Sequence, residues 1–97
     1  MERAEFIAML EREGYKEIVT VEREPHNKLG IHTHPFEAQA LITSGELRLV
    51  TDGHEQLCRV GDLFHLAPYA PHAESCGAEG VSYLVGRKPA PPQSTGA

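Results

Sequence analysis

Tryptophan is absent from the chain, and phenylalanine and tyrosine number only three each. Cysteine occurs twice, as Cys58 and Cys76, far apart and in no C-x-x-C pattern. That spacing excludes a disulfide framework or a four-cysteine zinc site, and the expected state is two reduced thiols packed as small hydrophobes. No window approaches the roughly 18 apolar residues of a membrane-crossing helix. The opening MERAEFIAML has no basic segment ahead of its apolar residues, so no export signal is expected and a cytoplasmic setting is. Lysine and arginine total 9 against 14 acidic residues, giving a net charge of -5, and the basic residues are scattered. Nucleic acid and membrane surfaces are therefore not expected partners.

Ninety-seven residues make one domain, near the lower end of what folds alone around a single core. Residues 2–13 read as a helix with Phe6, Ile7, Met9 and Leu10 on one side, and Gly14 follows where a C-terminal cap belongs. From Glu17 the period changes to two, with Val19, Val21 and Arg23 alternating with Ile18, Thr20 and Glu22. Pro25, Asn27 and Gly30 then mark a loop. Beyond it come AQALIT, ELRLVT, EQLCRV, DLFHLA and VSYLVGR, each a short β-type run set off by turn residues. Asp52-Gly53 supplies the positive φ angles of a tight hairpin. Many short strands with no helix between them indicate an all-β, antiparallel sandwich or barrel. The expected organisation is a helical segment over 1–16, a β-barrel over 17–87, and a disordered Pro-rich tail over 88–97.

Six histidines stand out for their settings. His54 falls in the hairpin and His26 in a Pro/Asn loop, where both are expected to be solvated. His65, inside DLFHLA, is expected to be an ordinary strand histidine. His32 and His34 are one residue apart, so in an extended segment both rings point to one face about 7 Å apart. His72 follows Pro71 and leads into a strand. If that strand pairs near His32 and His34, three neutral imidazoles converge, a donor set suited to Zn, Fe(II), Ni or Cu. The alternative is three polar rim residues at a barrel mouth.

The stretches HTHPFEAQALITSG and GDLFHLAPYAPHAE resemble the two motifs of the cupin superfamily, in its small single-domain, RmlC-like form. His32 and His34 match the first motif's histidines and Gly45 its closing glycine. Gly61 matches the second motif's opening glycine and His72 its last histidine. The 15 residues from Glu46 to Val60 separate them, as in small microbial cupins. The resemblance covers roughly residues 17–87. It implies a jelly-roll fold, a divalent metal ion (Fe, Zn, Ni or Mn) on His32, His34 and His72, and a homodimer.

The departures bear on function. The family's glutamate ligand falls at Ala38, which cannot bind metal, and strand alternation turns Glu37 and Gln39 away unless a bulge brings Gln39 in. Tyr69 stands at the second motif's glycine and Cys76 at its asparagine. Phe36, Phe64, Tyr69 and Tyr83 are candidate walls of a cavity, while Glu37, Glu74 and Asp62 read as surface or turn carboxylates. Two functions of different class follow. One is a metal-dependent enzyme, such as an oxygenase acting on a small chelating molecule, as three-histidine cupins with Fe(II) imply. The other is a non-catalytic module that binds or senses a small ligand. The catalytic residues and the substrate stay open.

Overall fold

The computed structural model describes residues 1–90. Its order is one helix, α1 (Arg3–Arg12), and six strands: β1 (Glu17–Arg23), β2 (Lys28–His32), β3 (Phe36–Thr51), β4 (His54–Arg59), β5 (Leu63–Leu66) and β6 (His72–Pro89). All pairings are antiparallel. This is the expected jelly-roll sandwich behind a short helix. Among the described residues no helix is long and apolar enough to cross a membrane.

Two long strands organise the fold. The first part of β3 pairs with β5 on one side and with the last part of β6 on the other, and β1 continues that layer beyond β6. The second part of β3 pairs with β4 and with the first part of β6, and β2 completes that layer. The two halves are joined where the β3–β6 register shifts, between Ile42 and Ser44 and between Gly45 and Leu47. AQALIT and ELRLVT, which read as two strands, are thus one bent strand. The loop expected around Gly30 instead contains β2, whose sequence KLGIH carries little β signal of its own.

Inward residues of the two halves form one core, with Ala38, Ala40, Ile42, Leu47, Leu49, Cys58, Phe64, Leu66, Val81, Tyr83 and Val85 packed together. Both cysteines are free, and burial pushes the Cys58 thiol pKa up. The hairpin at Asp52-Gly53 has φ of 46° and 76°, the mirror-image turn that fits strand twist. The Asp62 carboxylate accepts the Arg59 backbone N–H at 2.8 Å, the turn role its position after Gly61 suggested.

α1 lies on the outer face of the β1-containing half. Phe6 and Leu10 are fully buried with Tyr15, Leu41 and Leu84, each burial contributing about 1.5–3 kcal/mol. Gly86 makes the approach possible, since a Cβ there would lie 2.7 Å from a Leu10 methyl carbon. Gly14, at φ 84°, ends the helix and lets the Tyr15 N–H reach the Leu10 carbonyl at 2.9 Å. The apolar side of α1 is therefore covered by its own chain. At the other end, Lys88 and Pro89 belong to β6 and the Ala90 N–H donates to the Pro35 carbonyl at 3.2 Å, while residues 91–97 of the expected tail lie outside the described residues.

Candidate metal centre and ligand cavity

His32 ends β2 and His72 begins β6, and the two are register partners. His34 lies in the short link to β3. Its position is fixed from the second motif: the Tyr69 N–H donates to the His34 carbonyl at 2.8 Å. Ring centroids are 4.2 Å apart for His32 and His72, 4.9 Å for His32 and His34, and 5.2 Å for His34 and His72. One nitrogen from each ring falls in a set whose members all lie within 4.8 Å of one another.

The ring orientations suit a cation. His32 Nδ1 lies 2.6 Å from the Gly30 carbonyl oxygen, and His72 Nδ1 lies 2.9 Å from that of Ala70. A carbonyl oxygen only accepts, so each Nδ1 donates, and the neutral tautomer of each ring leaves the Nε2 lone pair for a metal. Fixing the tautomer through the far ring nitrogen is how metal-bound histidines are oriented. The His34 pKa is pushed down, first by burial and then by the neighbouring His32 and His72 and the positive charges of Arg87 and Arg23. Its imidazole is thereby held neutral, the form that binds metal. The residues present fit a divalent metal ion.

The other three histidines stand apart. His54 and His26 are exposed, and His65 faces outward to Glu37, Nε2 to Oε2 at 2.6 Å. Ala38 points into the site, as counting back from Gly45 implies, and lines the same cavity as His34 and His72. Gln39 points the other way, toward Tyr15. No carboxylate joins the three-histidine cluster among the described residues.

Below the histidines is a small cavity of about 70 Å³, open on one side and with room for only a small molecule. Phe36, Phe64 and Tyr83 are in its wall with Val21, Leu66 and Val85. Tyr69 is not: it is 43% exposed, in the loop that carries His34's partner N–H. Its φ of 62° explains why the motif has glycine there. Glu74, read from sequence as a surface carboxylate, is instead buried in the cavity wall. Alternation accounts for this, because Glu74 is two residues from His72 and shares its face. The Tyr83 hydroxyl donates to Glu74 Oε1 at 3.5 Å, and burial followed by the Glu74 charge raises the Tyr83 pKa to about 12. Two arginines, Arg23 and Arg87, also line the cavity. Strand alternation puts Arg23 on the face of Val19 and Val21. Arg87 continues the inward series of Val81, Tyr83 and Val85.

No family model and no curated protein matches the chain. Solved structures do. An RmlC-like cupin from Shewanella frigidimarina superposes with a TM-score of 0.67 at 21% identity, over 77% of this chain and 67% of that one. The DMSP lyase DddQ from Ruegeria pomeroyi gives 0.69 at 22%, over 79% of this chain and 40% of the lyase. An oxalate decarboxylase variant from Bacillus subtilis gives 0.67 at 21%, over 74% of this chain and 20% of the enzyme. The chain thus spans less than half the length of the two enzymes. What is shared is the architecture, a double-layered β jelly roll. The chain has the cupin fold.

Proposed function

We propose that this protein is a divalent-metal-dependent enzyme that acts on a small chelating molecule. The observation that carries the reading is the convergence of three imidazole nitrogens within 4.8 Å, two of them already oriented through Nδ1–H bonds to carbonyls. Three protein ligands leave coordination positions open, the pattern of catalytic rather than structural metal sites. The bound ion would supply Lewis acidity and an anchor for a chelating oxygen donor, and Fe(II) would add redox chemistry of the oxygenase kind. With no carboxylate in the cluster, the ion would keep its full charge toward an anion.

The chain's own residues would do the rest. Phe36, stacked on His34 at 4.8 Å between ring centroids, holds that imidazole and screens it from solvent. The Tyr83 phenol, its one O–H donated to Glu74, would accept a hydrogen bond from a ligand hydroxyl through its free lone pair. Two solved neighbours, a lyase and a decarboxylase by name, support enzyme chemistry in this fold. A cytoplasmic setting fits the free thiols.

The experiment is to load chelator-stripped protein with Fe(II), Zn, Ni or Mn separately and incubate each with a series of small hydroxy and dicarboxylic acids. Metal-dependent consumption of an acid, abolished by His34→Ala, supports the enzyme. Binding without turnover for every metal would overturn it in favour of a sensing module.

A further inference from the structure

Arg23 and Arg87 come from opposite ends of paired strands: Arg23 sits opposite Val81 in the β1–β6 register, and Arg87 opposite Glu17. Both side chains nevertheless line the cavity under the histidines. Each has a buried Nε–H with no hydrogen-bond partner. Leaving a charged group's donor buried and unpaired is costly, and folded proteins rarely do so without a reason. Two such donors in one cavity mark a missing acceptor.

The surroundings define that acceptor. Arg87 is braced, with its Cζ 5.0 Å over the Phe36 ring centroid and its Nη1 3.5 Å from Glu17 Oε1, so its fork is pre-positioned. Arg23 lies beside the Tyr83 hydroxyl and makes no ion pair among the described residues. The one acid in the wall, Glu74, accepts from Tyr83. The same cavity wall carries apolar residues, Val21, Ala38 and Val85 among them. A short hydrocarbon stem fits there. A multiply charged phosphate would meet Glu74 and the apolar wall, whereas a planar carboxylate matches the guanidinium fork with one charge.

We propose that Arg23 and Arg87 form a carboxylate clamp that fixes one end of a small organic acid while its other end faces the three histidines. This rests on the proposed metal-dependent reading for the second end only, since the clamp itself needs no metal.

The test is calorimetric titration of malonate, succinate and glycolate into metal-free and zinc-loaded protein, with malonamide and inorganic phosphate as comparison probes. At least one acid is expected to bind the metal-free protein, and malonamide and phosphate are expected not to compete. Arg23→Met and Arg87→Met should each weaken that acid about ten- to a hundredfold. The melting-temperature rise that the acid gives wild type should vanish in both variants, whatever Arg87→Met loses in its Glu17 and Phe36 contacts. A purely structural role predicts a lower melting temperature with affinity unchanged. If no acid binds, if malonamide or phosphate binds as well, or if affinity ignores the arginines, the clamp is overturned. Acid binding that persists when no metal can be loaded would sink the metal reading and leave the clamp standing.

Discussion

Gly45 and Gly80 meet backbone to backbone at the bend between the two halves, so that a Cβ on Gly45 would collide with the Gly80 carbonyl. Both have φ of 71°, a conformation side chains disfavour. This contact is the physical meaning of the glycine that closes the first motif. Gly45→Ala should destabilise the fold by more than about 2 kcal/mol, since left-handed strain and the clash add. Gly53→Ala, which has open space around it, should cost only the strain. Chemical denaturation of both variants checks this, and equal losses would contradict it.

Alkaline pH should unfold the protein through its tyrosines. The Tyr15 and Tyr83 pKa values are each raised to about 12, chiefly by burial, against an unfolded value of 10.0. A group with a raised folded pKa leaves stability intact below the unfolded pKa. Above it, the unfolded chain loses protons first and stability falls as pH rises through about 12. Melting temperature should therefore drop from about pH 10 upward, and Tyr83→Phe should flatten the drop. An unchanged profile in that variant would contradict the burial of Tyr83.

Much of this fold was legible because local and global signals agree. The alternation from Glu17 to Arg23 coincides with β1, and Asp52-Gly53 with the hairpin. The position of Gly45 set the register that turns Ala38 into the site and Gln39 out of it. β2 was not legible, because its strand character comes from pairing with β6 rather than from KLGIH itself. Glu74 misled because a carboxylate is a poor core residue by composition, although its spacing from His72 placed it inward. Arg23 carried the same signal, and only the unpaired Nε gave it meaning.

Adding the absent oxygen donor tests the register at the site. Ala38→Glu places a carboxylate in the wall shared by His34 and His72. Affinity for Mn(II), which favours oxygen ligands, should rise about tenfold or more. Competition titration with a metallochromic dye measures it, and no change would mean that residue 38 does not face the ion.

We propose a homodimer formed away from α1, whose apolar side is covered by its own chain. The outer face of the β4-containing half keeps Val50 and Leu57 at 38% and 42% exposure, on the same side as the Arg48–Glu55 ion pair. Light scattering at micromolar concentration should give twice the 10.7 kDa chain mass, and Leu57→Lys should return it to one. A single-chain mass for wild type contradicts the dimer.

Zinc titration of tag-free, chelator-stripped protein at neutral pH tests whether His32, His34 and His72 together hold one divalent ion. Wild type and His54→Ala should each bind one ion per chain with the same affinity. His72→Ala, left with two imidazoles, should bind at least about a hundredfold more weakly. No saturable binding by wild type, or binding that His72→Ala leaves intact, would contradict a three-histidine metal site.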